Sequence, residues 1–374
     1  MSTPGIRRAL AVLAAAAAAL LAPALPAHAA HAPQAAQAVH AAQAPQAAEA
    51  AEEAEEEAAP EPGAARTVEV ADAAELAAAL AGAEPGDTIS LAPGEYAGPF
   101  TATASGTEEE PITLTGPREA VLSAASGYGL HLDGADHWTL TGFTVSGAPK
   151  GIVLDEADHV LIAEVEVSHT GTEAVHFRSG SADGVIRDSF IHDTGLTQPQ
   201  YGEGVYIGSA VSHWGDFGED GGTGPDRSDR VQVLGNTFGP GVAAEHVDVK
   251  EGTRDGVLRG NTFVGDGMSG ENYADSWVDV KGDGYLIESN TGSFGGEGAL
   301  LDGYQTHTAV EGYGCGNTFR ANDSDLGGAA GYAIHVTNQS RCAAAPQVVT
   351  ADNTVTGAGS GLTNIEVTPA DPAA

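Results

Sequence analysis

Two stretches of the chain carry the same pattern of apolar and charged residues. HVDVKEG begins at His246 and WVDVKGD begins at Trp277, and each contains Val-Asp-Val-Lys. Side chains alternate between the two faces of an extended strand, so the aspartate and the lysine of each copy share the outward face. The chain has three lysines, and two of them lie in these copies. The repeated Asp-x-Lys pair is therefore the first candidate for chemistry.

Stacking of the two copies would bring like charges together. On adjacent rungs of a solenoid, Asp248 would lie about 4.8 Å from Asp279, and Lys250 would lie as close to Lys281. Such stacking costs stability unless a ligand or a metal ion uses the charges. β-Elimination from a uronic acid uses such a set, because the sugar carboxylate must be neutralised and the proton beside it removed. We expect Lys250 to be the base, with its pKa lowered by Lys281, which would also pair with the substrate carboxylate.

Other polar residues would extend this face. His176 and Tyr206 are the residues expected to supply the proton for the leaving oxygen. Oxygen ligands suit Ca²⁺, which can neutralise a sugar carboxylate, and the expected ligands are the nearest acids on this face, Asp248, Asp279 and Glu251. The residues expected to bind substrate beside them are Arg178, Trp214, Glu203 and Glu245.

The Asp-x-Lys strands belong to a repeat of short strands separated by Gly, Asn and Asp. Eight segments fit a template of alternating apolar and outward residues, at intervals of 21 to 42 residues. Their first outward residues are His131, Val153, His176, Tyr206, Asp248, Asp279, Leu300 and His335. A second column of asparagines, expected to form a ladder at one corner, consists of Asn236, Asn261, Asn290, Asn317 and Asn353. Repeats of strands and turns of this size predict a β-solenoid.

The ends of the chain differ from this repeat. Residues 1–29 combine an Arg pair, an Ala/Leu run and an Ala-His-Ala site, which predicts a signal peptide and a secreted, extracellular protein. Residues 30–66, rich in Ala, Glu and Pro, predict a disordered linker. The capping box Asp72-Ala-Ala-Glu75 predicts a short N-terminal helix that ends at Gly82. The solenoid domain is expected to span residues 67–367, followed by a C-terminal tail over residues 368–374.

Composition limits the partners and predicts one covalent link. The formal charge of −37 argues against nucleic acid as a partner. Beyond the signal segment, no apolar run is long enough to span a membrane. The two cysteines, Cys315 and Cys342, are expected to form a disulfide in an exported protein. We expect a monomer whose partner is an acidic polysaccharide.

The start of the solenoid resembles a known group of proteins. GDTISLAPGEYAGPF, SGTEEEPITLTGP at residues 105–117 and the rungs that follow resemble the secreted right-handed parallel β-helix proteins of the pectate-lyase-like superfamily. The opening is most similar to the chondroitinase B/alginate lyase family. The resemblance implies an all-β fold, a right-handed parallel β-helix (β-solenoid) with a short N-terminal capping helix.

The same resemblance implies roles for some residues. In that family a lysine base follows glutamate calcium ligands on one rung, and an arginine lies on the next rung. Here Glu245 and Lys250 match the glutamate and the lysine, and Lys281 stands where the arginine would be. Ala243 stands in place of the second glutamate. The resemblance thus implies a polysaccharide lyase that uses Ca²⁺.

Three other interpretations stay open at the level of sequence. Asp248 and Asp279 could be the carboxylate pair of a glycoside hydrolase. The strip with Tyr206 and the Trp214 loop could bind a glycan without catalysis. Duplication of one rung could also copy an exposed ion pair that contributes little. Unsaturated products would indicate a lyase, and new reducing ends without them would indicate a hydrolase. Neither product would indicate a protein without catalytic activity.

Overall fold

The computed structural model describes residues 66–370. The predicted signal peptide lies outside these residues, as does the predicted linker apart from Arg66. Within the described range the chain winds as a right-handed parallel β-helix, with three short strands in most rungs. The predicted fold class is confirmed. No helix within residues 66–370 is long and apolar enough to cross a membrane.

The strands are short because glycines and polar turns interrupt them at every corner. In chain order they are β1 Thr67–Val70, β2 Thr88–Leu91, β3 Gly94–Gly98, β4 Phe100–Ala102, β5 Ile112–Thr115, β6 Ala120–Ala124, β7 Tyr128–Asp133, β8 Trp138–Thr141, β9 Thr144–Ser146, β10 Lys150–Asp155, β11 Leu161–Ala163, β12 Glu166–Ser168, β13 Val175–Arg178, β14 Val185–Arg187, β15 Phe190–His192, β16 Val205–Ile207, β17 Gln232–Leu234, β18 Thr237–Phe238, β19 Val247–Val249, β20 Val257–Arg259, β21 Thr262–Val264, β22 Ser276–Val280, β23 Leu286–Glu288, β24 Thr291–Ser293, β25 Asp302–Thr306, β26 Thr318–Arg320, β27 Asp323–Asp325, β28 Tyr332–Val336, β29 Val348–Val349, β30 Thr354–Thr356 and β31 Gly361–Thr363.

Three parallel sheets run along the solenoid axis. One has eleven strands, in the order β1-β2-β5-β8-β11-β14-β17-β20-β23-β26-β29. A second has ten, in the order β3-β6-β9-β12-β15-β18-β21-β24-β27-β30. The third, which we call the site sheet, has the order β4-β7-β10-β13-β16-β19-β22-β25-β28-β31. Strands on the site sheet come from successive rungs, so residues far apart in sequence become neighbours across it.

Helices are few and short. α1 (Ala73–Ala81) caps the N-terminal end, and the Asp72 side chain accepts hydrogen bonds from the amides of Ala74 and Glu75. Burial of Leu76 and Leu80 holds this helix against the coil, so the predicted cap is confirmed. α2 (Trp214–Phe217) and α3 (Glu219–Gly222) lie in the long loop between β16 and β17, and the 3₁₀ turns are Pro199–Tyr201, Val211–His213, Glu271–Tyr273 and Gln339–Arg341.

An asparagine ladder closes one corner of the coil. The side-chain amide of Asn236 donates to Asn261, and the same bond continues from Asn261 to Asn290, then to Asn322 and Asn353. Each of these buried amides also satisfies backbone groups that the turn leaves unpaired. The ladder was predicted, but its fourth member is Asn322.

Asn317 belongs to a different corner. Its side chain accepts from the Tyr285 amide and donates to the Gly282 carbonyl. The sequence CGNTF is similar to the ladder segments LGNTF and RGNTF. Its Thr-Phe, however, begins β26, which pairs with β23 in the eleven-stranded sheet. The assignment of Asn317 to the ladder was therefore wrong.

The rung that contains β25 is also shifted from its predicted alignment. Leu300 and Asp302 were expected to point outward, but both are buried, and the residue that pairs with Asp279 is Gln305. The strand places Tyr304 inside the coil, where its ring packs 6.0 Å from that of Trp277 and 5.9 Å from that of Phe319. In the predicted register the inward residues would be Ala299 and Leu301, so the observed register buries a larger side chain in this rung.

One disulfide links neighbouring rungs near the C-terminal end. Cys315 and Cys342 are bonded, with their Cα atoms 5.3 Å apart. The predicted pairing is therefore present in the structure. The bond ties the turn after β28 to the segment before β26.

Candidate active site

The two Asp-x-Lys strands lie side by side on the site sheet. β19 and β22 are parallel neighbours, with Asp248 opposite Asp279. The valines of both strands are buried inside the coil, so the alternation of the strands turns the aspartates and lysines outward. The sequence predicted that the two copies lie on adjacent rungs with their charged residues on one face. This prediction is confirmed.

Opposite charges alternate across these rungs. The Asp248 carboxylate pairs with the Lys250 ammonium at 2.5 Å and with the Lys281 ammonium at 2.9 Å. Lys281 also pairs with Asp279 at 2.5 Å, and Nδ1 of His307 lies 2.8 Å from the Asp279 carboxylate. The expected repulsion between like charges is therefore offset by interleaved opposite charges.

This arrangement raises the pKa of both lysines. Burial opposes the charge on Lys250, but the Asp248 carboxylate, with Glu203 and Glu245 close by, holds its pKa above the usual value. The pKa of Lys281 is raised in the same way, chiefly by Asp248. The expected net fall in the pKa of Lys250 was wrong, because the carboxylates outweigh the neighbouring cation. In the free protein, Lys250 is an ammonium.

Three carboxylates meet beneath the lysines. Glu203 precedes β16 and Glu245 precedes β19, and ligand oxygens of these residues and of Asp248 lie within 4.8 Å of one another. Burial, reinforced by Glu173 and Asp248, raises the pKa of Glu203 to about 8. The pKa of Glu245 is also raised, by burial and by Asp248. Oε2 of Glu203 is buried and has no hydrogen-bond partner in the described part of the chain.

The other two expected cation ligands lie outside this cluster. Burial opposes ionisation of Asp279, but Lys281 and His307 hold its pKa well below the usual range. Glu251 is buried at the following corner, where its carboxylate accepts a hydrogen bond from the Val211 amide at 2.6 Å. The sequence had assigned Glu203 and Glu245 to substrate binding, and the structure places them where a cation would fit.

The cluster predicts a pH-dependent stability. The pKa of Glu203 is raised from 4.5 to about 8 on folding, so its contribution to stability is present below the unfolded pKa and is lost as the pH rises to the folded pKa. In the presence of a chelator, we expect the melting temperature to fall over this interval, and to fall less in Glu203→Gln. Differential scanning calorimetry would measure both slopes. The exposed Glu119→Gln is the matched control, and equal slopes in all three proteins would contradict the assignment.

A groove of about 890 Å³ opens over the cluster and the lysines. We call it the site groove. The residues that line it around the network are Glu203, Glu245, Asp248, Lys250, Asp279, Lys281 and His307, and those farther along are Asn272, Tyr273, Asp275, Leu301, Asp302, Gln305, Thr308, Ala309, His335, Thr337, Asn338, Ser340 and Arg341. His307 was missed because the sequence alignment placed Leu300 and Asp302, instead of Gln305 and His307, in the outward columns of this rung. Its signal would have been a histidine two residues after Gln305, in the lysine column.

Tyr206 and His176 lie beside the network on earlier rungs. Nζ of Lys250 is 4.8 Å from the centroid of the Tyr206 ring, and burial together with Asp248 raises the pKa of Tyr206. His176 packs edge-on against Tyr206, and its Nε2 lies 3.0 Å from the Gly208 carbonyl oxygen. Burial lowers the pKa of His176 to about 4, so its imidazole is neutral near neutral pH. Tyr206 is therefore the better placed of the two to act with Lys250.

Arg178 and Trp214 are occupied by other contacts. Arg178 pairs with Asp155 at 2.6 Å, donates to the Tyr128 hydroxyl and lies 4.4 Å from the centroid of the Phe217 ring. Nε1 of Trp214 donates to the Ser209 carbonyl at 3.0 Å. Neither side chain lines the site groove. Their substrate-binding role remains a prediction.

Comparison with known proteins agrees with the fold. A family model described as a right-handed beta helix region matches residues 128–270. Fold and site together define a right-handed parallel β-helix protein of the pectate-lyase-like superfamily. An alginate lyase from Paenibacillus sp. str. FPU-7 is 40% identical, with a TM-score of 0.74, and the alignment covers 80% of this chain and 98% of that chain. The chain belongs to the family of this polysaccharide lyase.

Two more distant structures share the fold alone. The ORF18 protein of Geobacillus virus E2 is 11% identical, with a TM-score of 0.53, over 79% of this chain and 60% of that chain. A rhamnogalacturonan lyase is 11% identical, with a TM-score of 0.51, over 78% of each chain. No curated protein matches the chain.

Proposed function

We propose that the protein is a secreted lyase that cleaves an acidic, uronic-acid polysaccharide by β-elimination, with alginate as the first candidate substrate. The observation that carries the proposal is the joining of two lysines and three clustered carboxylates in one groove of a chain 40% identical to an alginate lyase. The predicted signal peptide supports a site of action outside the cell.

Two lysines of the groove and Tyr206 beside it divide the tasks of elimination among them. Lys281, held between two aspartates, is placed to pair with the carboxylate of the bound sugar. Lys250 is the proposed base, and it must first release the proton that the surrounding carboxylates hold on it. Tyr206 keeps its hydroxyl proton because its pKa is raised. It is the proposed donor to the leaving oxygen.

The acid cluster fits a divalent cation such as Ca²⁺. Around the two lysines of the site groove lie four carboxylates, those of Glu203, Glu245, Asp248 and Asp279. This part of the groove carries two net negative charges when all six groups are ionised. The unpartnered Oε2 of Glu203 is a free oxygen ligand, and carboxylate oxygens are the donors that Ca²⁺ prefers. Bound there, Ca²⁺ would neutralise the sugar carboxylate and weaken the field that keeps Lys250 protonated.

Ultraviolet absorbance of unsaturated products tests the function. We expect alginate or another polyuronate to give a rising signal with Ca²⁺ present and a much lower rate in a chelator, since Lys250 then stays protonated. Full activity in chelator would contradict the cation site but leave the lyase assignment standing. New reducing ends without absorbance would favour a hydrolase that uses Asp248 and Asp279, and no change on a broad panel would favour a binding protein.

A further inference from the structure

The site groove extends from the reacting residues in one direction only. Within residues 66–370, none of its lining residues precedes Glu203, whereas the lining continues past β22 and β25 to the turn after β28. From β19 to β28 the sheet advances by three rung spacings, about 14 Å. A polysaccharide in the groove would therefore extend from Lys250 and Lys281 over the C-terminal rungs.

Arg341 lies in this extension and has no carboxylate partner among residues 66–370. Every other arginine and lysine within residues 66–370 has a carboxylate oxygen within 4.0 Å of its side chain. The single hydrogen bond of the Arg341 guanidinium in the described chain goes to the Thr308 carbonyl. In a chain with a formal charge of −37, an exposed cation without an internal partner is free to pair with an anionic ligand.

The segment that carries Arg341 is held in place from both sides. Arg341 ends the 3₁₀ turn Gln339–Arg341, and the next residue, Cys342, is bonded to Cys315. Asn338 at the start of the turn is buried and donates to the Gly314 carbonyl and to the Thr308 hydroxyl. These contacts hold the backbone from which the Arg341 side chain extends, which lowers the ordering cost of binding.

Tyr273 lines the groove at the amino ends of the site-sheet strands, whereas Arg341 lies at their carboxyl ends. It precedes β22, whereas Arg341 follows β28, and the strands are parallel. The side chain of Tyr273 is 87% exposed. Its backbone φ of 65° and that of Asn272, 56°, are left-handed, as at many other turns of the described chain. The loop thus presents an aromatic ring to the groove.

We propose that Arg341 and Tyr273 form an extended subsite for the part of the polysaccharide beyond the cleaved bond, Arg341 through a sugar carboxylate and Tyr273 against a sugar ring. This inference rests on the proposed function for the identity of the ligand. The guanidinium offers paired donors to a carboxylate, and an aromatic ring offers an apolar surface with little entropy to lose. Lys250 and Lys281 act on one sugar, while the subsite holds the chain in register.

Binding to a variant that cannot cleave tests the subsite. In the Lys250→Ala background, Arg341→Gln should weaken binding of alginate or polygalacturonate oligosaccharides roughly tenfold, as measured by titration calorimetry. Arg341→Lys should recover part of the loss, and added salt should reduce the difference. In the otherwise unchanged enzyme, Arg341→Gln and Tyr273→Ala should raise KM and leave kcat nearly constant.

A control variant and the possible outcomes distinguish failure of the subsite from failure of the lyase assignment. Arg187→Gln changes a partly exposed arginine outside the groove and should leave binding unchanged. Equal binding by the parent and Arg341→Gln would overturn the subsite even if the lyase is active. Binding that depends on Arg341 without unsaturated product would support the subsite while the lyase assignment fails. A parent that binds neither oligosaccharide would overturn the subsite.

Discussion

Replacement of Lys250 by alanine is expected to remove the elimination activity and leave the fold intact. Loss of a positioned acid–base group typically costs about 10²–10⁴-fold in rate. The other contacts of the network survive the change, because Lys281 still pairs with Asp248 and Asp279. The measurement is the initial rate of absorbance increase on the polyuronate that the parent cleaves, with a melting curve to confirm folding.

Lys150→Ala is the matched control for this variant. Lys150 is the remaining lysine of the chain. It pairs with Glu173 on rungs that precede the site groove. We expect its loss to leave the rate almost unchanged. If Lys250→Ala retained most of the activity while folded, Lys250 would not be the base, and Tyr206 would become the first candidate to examine.

The second large effect is expected from Asp248→Asn, on stability. Asp248 is 2% exposed and is the carboxylate that both Lys250 and Lys281 contact. Removal of its charge leaves Lys250 without its close partner and Lys281 with Asp279 alone. Loss of one member of a buried ion network costs about 3–5 kcal/mol, so we expect a free energy of unfolding lower by that order, measured by urea denaturation in chelator.

Two further variants show whether the charge itself is responsible. Asp279→Asn should cost less, since Lys281 then keeps Asp248 at 2.9 Å. Lys250→Met in the Asp248→Asn background should recover part of the lost stability, because the uncompensated ammonium is gone. If Asp248→Asn unfolds at the same urea concentration as the parent, the Asp248 charge does not stabilise the fold, and the two ammonium groups must be solvated in its absence.

Local pattern was enough to predict the architecture. Alternating apolar residues, turn glycines and the capping box at Asp72 depend on neighbours within a few positions, so the sequence predicted the solenoid, the capping helix and the outward face of Asp248 and Lys250. The predicted disulfide also followed from two cysteines in a chain with a signal-like start. These features need no knowledge of which rungs touch.

Residues from different rungs decided the rest. The shift that places Gln305 and His307 in the outward columns, and the replacement of Asn317 by Asn322 in the ladder, follow from how Tyr304 and the NTF segment pack inside the coil. The three-carboxylate cluster joins Glu203 to Asp248, which are 45 residues apart. Its effect on Lys250 reversed the predicted direction of the pKa shift. Burial and charge at this site are sums over neighbours that only the stacked rungs bring together, so the sequence alone could locate the lysines but not their protonation state.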